Sequence, residues 1–174
     1  MLQLVLVPAS EGLFCPHKTM RRESIDIVHG VTPQQFAELR KKALEARELS
    51  YSPYSKFRVG CCLLTNDGEY VTGANVENAS YGGAICAERT TIVKTLTASN
   101  QSHSKRGQWR CLAISGDSLE SCITPCGICR QFIREFASTS LPIVMFNGDG
   151  SKYIVKTLEE LLPLSFGPDD FGSH

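Results

Sequence analysis

Apolar side chains return at helical spacing after Thr32: Phe36, Leu39, Ala43, Ala46 and Leu49 form the stripe that one face of a helix buries. Thr32-Pro33-Gln34-Gln35 sets an N-cap residue, a proline at the first helical position and a glutamine at the capping-box position. The pattern predicts a helix over 33–50, ended by Ser52-Pro53-Tyr54. Phe57, Val59, Cys61 and Leu63 then alternate with Arg58, Gly60 and Cys62, the period of a strand. Asn66-Asp67-Gly68 is a hairpin turn signal, and 70–77 is the return strand. Gly82 and Gly83 mark a loop, after which Ile85, Ile92, Val93 and Leu96 predict a helix over 86–96. Residues 100–108 are polar and read as a loop, followed by a strand over 109–115. Thr124-Pro125 predicts the start of another helix, with Phe132, Ile133 and Phe136 on its apolar side. Strands over 143–146 and 152–155 flank the turn Gly148-Asp149-Gly150, and a short helix over 158–162 follows.

The order α-β-β-α-β-α-β-β-α implies an α/β protein: a three-layer α/β/α sandwich around a mixed five-stranded sheet. The 174 residues suit one domain. Residues 1–30 carry no periodic pattern and are expected to be a poorly ordered extension, with the folded domain over 31–174.

Charge narrows the function classes. Lys plus Arg and Asp plus Glu each number 18, for a formal net charge of zero. A protein that grips a phosphate backbone usually carries a basic excess, so no nucleic-acid partner is expected and a small molecule is the better substrate. The apolar run at residues 1–7 is too short to cross a membrane and has no basic flank before it. No membrane partner is expected. Cysteine spacing argues against a disulfide framework. Cys126 and Cys129 form C-x-x-C, while Cys61 and Cys62 are strand neighbours that point to opposite faces as packing residues. A reducing compartment follows as the expectation, the cytoplasm, with a nuclear presence compatible.

Chemistry concentrates in Cys86-Ala87-Glu88 and Pro125-Cys126-Gly127-Ile128-Cys129. Cys126 and Cys129 lie one turn apart at a helix start, so both sulfurs can face one side. Free backbone N–H groups and the helix dipole there favour thiolates. Cys86 would bring a third sulfur from another helix start. Three protein ligands leave one tetrahedral position open, the arrangement of catalytic zinc, with Zn–S distances of about 2.3 Å. Cys111 and Cys122 are the candidate fourth ligands of a closed, structural site instead. Glu88 would take a proton from water activated by the metal. Residues two apart on a helix do not face each other, so its side chain must reach back across the helix start.

A three-ligand site with a nearby non-ligating Glu and P-C-x-x-C is the zinc deaminase pattern in its three-cysteine form. Beyond it, residues of about 33–170 resemble the tetrameric three-cysteine cytidine deaminases of pyrimidine nucleoside salvage. The likeness rests on Tyr51-Ser52-Pro53-Tyr54-Ser55, Phe57-Arg58-Val59-Gly60, the run from Gly73 through Asn75, Glu77 and Asn78 to Tyr81, Cys86-Ala87-Glu88-Arg89, Pro125-Cys126-Gly127-Ile128-Cys129-Arg130-Gln131 and Leu162-Pro163-Leu164-Ser165-Phe166-Gly167-Pro168. It implies a cytidine deaminase-like fold and hydrolysis of cytidine and 2′-deoxycytidine to uridine and 2′-deoxyuridine with release of ammonia. It implies one zinc ion per subunit on Cys86, Cys126 and Cys129, with Glu88 as proton shuttle. Asn75 and Glu77 would bond the ribose hydroxyls, Phe57 would pack on the pyrimidine, and the Ala87 carbonyl would face the exocyclic amine. Tyr81 and Phe166 would reach a neighbouring subunit's site within a homotetramer. Arg89 would bond to the ligand thiolates, offsetting the net charge of −1 on zinc with three thiolates.

Competing classes remain at this level. A nucleic-acid editing deaminase would use the same zinc chemistry, but zero net charge and an Asn-Glu pair suited to free ribose oppose it. A deaminase of another base, and a non-catalytic zinc module, are the others. Taken alone, Phe57 and Phe166 would be core residues, and Asn75 with Glu77 a solvated pair.

Overall fold

The computed structural model describes residue 28, residues 30–98 and residues 108–172. Apart from residues 28 and 30, the expected N-terminal extension lies outside the described residues, as does most of the expected 100–108 loop; Val28 is buried in the core that holds Phe36, Leu39 and Ala43. The first helix, α1 (Pro33–Arg47), begins on Thr32, whose hydroxyl accepts from Gln35 N while the Gln35 side chain accepts from Thr32 N. The capping box read from sequence is therefore formed. The helix stops short of Leu49, which is exposed rather than packed.

Strand β1 (Val59–Thr65) and strand β2 (Tyr70–Ala74) form an antiparallel hairpin. Helix α2 (Ala87–Thr97), strand β3 (Trp109–Gly116), helix α3 (Gly127–Phe136), strands β4 (Pro142–Phe146) and β5 (Tyr153–Thr157), and helix α4 (Leu158–Leu161) follow. The element order matches the order read from hydrophobic periodicity. The sheet runs β2-β1-β3-β4-β5. Only β3 and β4 pair in parallel; the other neighbours are antiparallel. A mixed five-stranded sheet is thus present.

The central strands are buried on both faces, as a sheet covered on both sides requires. Cys61 and Leu63 of β1, Leu112 and Ile114 of β3 and Ile143 and Met145 of β4 join Ala87 and Ile92 of α2 and Ile133 of α3 in one core. Their strand neighbours Cys62, Leu64, Cys111, Ala113, Val144 and Phe146 join Phe36, Leu39 and Ala43 of α1 in the other. Side chains alternate between the two cores because successive strand residues point to opposite faces. Cys61 and Cys62 accordingly part company, as the sequence implied.

One contact fixes the helix that carries the chemistry. A Cβ at Gly73 would lie 2.6 Å from Thr91 Oγ1 and 2.7 Å from Thr91 N. The missing side chain lets α2 rest directly on β2. The α2 start is thereby held at the open end of the hairpin.

Candidate active site

Two helix starts meet at the site. Cys86 is the N-cap residue of α2 and Cys126 that of α3. The sequence placed the start of α3 at Thr124-Pro125; the helix begins at Gly127 instead. The proline signal sits just ahead of a cysteine that takes the cap position with extended backbone, at φ −68 and ψ 166. Its sulfur makes no capping hydrogen bond and so stays available.

The Cys86, Cys126 and Cys129 sulfurs lie within 4.8 Å of one another. Cys86 Sγ and Cys126 Sγ are 3.9 Å apart. Sulfurs held at about 2.3 Å by a tetrahedral metal lie about 3.8 Å apart. The donor set therefore fits zinc in spacing as well as in chemistry. Cys129 is buried, Cys86 half-buried and Cys126 exposed, so one side of the cluster faces outward. The closed-site alternative finds no support: among the described residues no fourth ligand joins this group. Cys111 faces the opposite core and Cys122 packs at the edge of the nearer one.

The Cys129 thiol donates toward Cys86 and, with Arg89 and Cys126, holds Cys86 down at about 5 against the cost of its burial. The same hydrogen bond, together with burial, pushes Cys129 up. A cluster that already stabilises one thiolate is a ready cation site.

Glu88 sits in the first turn of α2 at 4% exposure. Burial, with the nearby Cys86 charge, pushes its carboxyl up to about 7, while its own backbone N–H and Cys129 act the other way. A group poised near neutral pH can both take and return a proton. Glu88 is not a member of the three-sulfur group, so its carboxylate is not committed to the metal position. Arg89 Nη2 donates to the Ala84 carbonyl at 3.1 Å and approaches Cys86 Sγ at 3.9 Å. The guanidinium is thus anchored by backbone and aimed at sulfur.

Residues 75–77 run beside the cluster. Val76 bridges Tyr51 on one side and Ile85, the neighbour of Cys86, on the other. The return strand itself ends at Ala74, yet the backbone stays extended enough to pair. The Asn75 side chain is held from three directions: its Oδ1 accepts from Ser50 Oγ at 2.6 Å and Val59 N at 2.8 Å, and its Nδ2 donates to the Phe57 carbonyl at 3.0 Å. Glu77 accepts from Tyr54 N at 2.8 Å and Ser55 N at 3.2 Å. Bonding from Ser55 holds its carboxyl below the usual carboxylate range. Phe57 lies against Gly116, where a Cβ would come within 3.0 Å of its ring, and the residue is 37% exposed.

The other expected residues fall differently. The Ala87 carbonyl does not face outward: it accepts from Thr91 Oγ1 at 2.8 Å within the helix. A first-turn carbonyl points along the helix, whereas a first-turn N–H has no intrahelical partner. Tyr81 and Phe166 do not enter their own chain's cluster. Tyr81 is 81% and Phe166 60% exposed; each meets an aromatic neighbour edge-on, Tyr54 at 6.4 Å and Phe171 at 5.1 Å. A cavity of about 560 Å³ along α3, lined by Ile128, Gln131, Phe132 and Phe136 among others, includes none of the three sulfurs' residues or Glu88. Ser50, which fixes Asn75, gave no signal in the sequence because its partner lies 25 residues away.

Residues 33–145 match the model of the cytidine and deoxycytidylate deaminase zinc-binding region. The chain is 39% identical over 130 residues to a cytidine deaminase of Halalkalibacterium halodurans, covering 75% of this chain and 92% of the relative. It is 38% identical over 128 residues to a probable cytidine deaminase of Dictyostelium discoideum, covering 74% and 81%. Among solved structures, the cytidine deaminase of Burkholderia pseudomallei superposes with a TM-score of 0.69 at 40% identity, over 75% of this chain and 98% of that one. That of Mycobacterium tuberculosis superposes at 0.62 and 35% identity, over 76% and 97%. The three-sulfur cluster, the adjoining buried carboxyl and these matches together show that the chain belongs to the cytidine and deoxycytidylate deaminase zinc-binding family.

Proposed function

We propose that this chain is a zinc-dependent hydrolase that converts cytidine and 2′-deoxycytidine to uridine and 2′-deoxyuridine, releasing ammonia, in pyrimidine salvage. The observation that carries it is Glu88, 4% exposed in the first turn of the helix that Cys86 caps. Cys86, Cys126 and Cys129 would hold the metal. A zinc ion bound there supplies Lewis acidity that makes water a nucleophile near neutral pH.

The chain's own groups do the rest. Glu88 takes the proton of the attacking water and delivers it to N3 of the pyrimidine as oxygen adds at C4. It then carries a second proton to N4, and the C4–N4 bond breaks with loss of ammonia. One water is consumed for each amine released. The Ala87 N–H, in the first turn of α2, donates to an acceptor on the ring. Arg89 draws charge from the sulfurs. Phe57 packs on the pyrimidine, and Asn75 and Glu77 meet the ribose. Asn75 Nδ2 keeps one proton beyond its bond to Phe57, and the Glu77 carboxylate keeps lone pairs beyond its two backbone donors. Their fixing by Ser50, Tyr54 and Ser55 lets them bind sugar without reorganising.

The exposure of Tyr81 and Phe166 supports a homotetramer in which these rings close a neighbour's site, with one zinc per subunit. Zero net charge supports a free nucleoside over a nucleic-acid strand. Among the described residues no helix is long and apolar enough to cross a membrane, and the reading places the enzyme in the cytoplasm. The test is chromatographic: the purified chain with cytidine, 2′-deoxycytidine, cytosine or single-stranded RNA, and sedimentation of the same sample. Conversion of the two nucleosides by a tetramer is expected. Conversion of RNA alone, or full activity in a monomer, contradicts the reading.

A further inference from the structure

Helix α3 carries two sulfurs of the site at its start. Along the rest of its length it reaches the C-terminal segment. Arg130 Nη1 donates to the Leu161 carbonyl at 2.7 Å, and Gln131 Nε2 to the Phe166 carbonyl at 3.0 Å. Arg134 Nε donates to Ser165 Oγ at 3.1 Å and its Nη2 to the Asp169 carboxylate at 3.0 Å. Gly167 lies flat on that guanidinium: a Cβ there would come within 2.5 Å of Arg134 Cζ and 2.8 Å of its Nε.

Stability alone does not account for this arrangement. Arg134 is 5% exposed, and among the described residues its Nη1 finds no acceptor. A buried guanidinium with an unused donor is unfavourable against an apolar side chain of like volume. Leu164 is also held with φ at 54, in left-handed backbone uncommon for leucine, and its side chain is fully exposed. Local rules broken without local gain mark functional positions. What the arrangement achieves is visible at Phe166: its backbone is fastened to α3 while its ring stands 60% exposed.

We infer that Arg134 is a positioning residue for the reaction, locking residues 165–169 onto α3 so that the Phe166 ring is presented ready-placed to the nucleoside site of a neighbouring copy. This rests on the shared-site reading proposed above. The same rigid helix then sets both the Cys126 and Cys129 sulfurs of its own site and the ring it lends to the next. A ring presented without search binds the nucleoside at lower entropic cost, so Arg134 acts on substrate binding rather than on bond making.

The experiment is a kinetic double-mutant cycle on the zinc-loaded protein, with Arg134→Gln, Phe166→Ala and the pair. Arg134→Gln is expected to raise KM for cytidine about tenfold with kcat changed less than about threefold. Zinc per chain and sedimentation should match the wild type. In the Phe166→Ala background Arg134→Gln should add less than about twofold, because both act through one ring. Additive losses, or a fall in kcat with KM unchanged, overturn the inference while leaving the shared site intact. A silent Phe166→Ala overturns the shared site and the inference with it. If Arg134→Gln does not fold, Gly167→Ala carries the same cycle with the arginine retained.

Discussion

Two sets of three cysteines occupy this small fold and have opposite chemistry. Cys61, Cys62 and Cys111 lie on the central strands at 0% exposure. Burial pushes all three thiols up, Cys62 to about 12. They are small core residues. Cys86, Cys126 and Cys129 stand at two helix starts, where neighbouring thiols and Arg89 hold Cys86 down at about 5 despite its partial burial. The residue type is the same; backbone position decides. A strand between two helix layers surrounds sulfur with hydrocarbon, while a helix start offers unpaired N–H groups and a positive dipole end.

Substitution should separate the sets sharply. Cys129→Ala is expected to abolish zinc binding and to cut cytidine turnover more than about 1000-fold. Cys111→Ala should keep one zinc per chain and normal turnover, at a stability cost of about 1 kcal/mol. Metal analysis, kinetics and denaturant melts check both; zinc loss from Cys111→Ala would collapse the distinction. A smaller effect tests the electrostatics. Arg89→Gln should lower turnover about tenfold per bound zinc, since the sulfurs lose their charge-withdrawing donor. Equal activity per zinc would leave Arg89 only its Ala84 bond.

The rim between the regions gives the mildest test. Asp117 accepts from Arg58 N at 2.7 Å and pairs with its guanidinium at 2.9 Å, steadying the chain next to Phe57. Burial works to raise the Asp117 carboxyl, but the Arg58 bonds outweigh it and hold it below 3.8. Its contribution to stability is therefore present above pH 3.8 and is lost as pH falls through the lower folded value. Asp117→Asn should cost about 1 kcal/mol at neutral pH, discounted for solvent screening, with the gap from wild type closing in acid. A gap that does not vary with pH would remove the charge from this account.

Much of this was legible in the chain. Periodicity carried the element order, and the Thr32 capping box carried the start of α1, because both are local. The cysteine pattern carried the metal cluster because C-x-x-C at a helix start leaves little geometric freedom. Where the sequence misled, a second local signal competed: Thr124-Pro125 looks like a helix start, yet Cys126 takes the cap. Leu49 fits the α1 stripe but falls beyond the helix end. The Thr91 hydroxyl's bond to the Ala87 carbonyl was not legible, because it depends on which way a helical side chain turns. Partners distant in sequence were out of reach altogether. Nothing in spacing joins Arg134 to Ser165 and Asp169, or Arg58 to Asp117.

The central claim is that Glu88 moves protons beside a three-cysteine metal site. The most direct measurement follows the cytidine ultraviolet band with wild type and Glu88→Gln, zinc being quantified in each sample. The account predicts loss of the band with wild type alone, at equal zinc content, and a melting temperature for Glu88→Gln no lower than wild type because a buried carboxyl is gone. Substantial turnover by zinc-loaded Glu88→Gln, or none by zinc-loaded wild type, would contradict it.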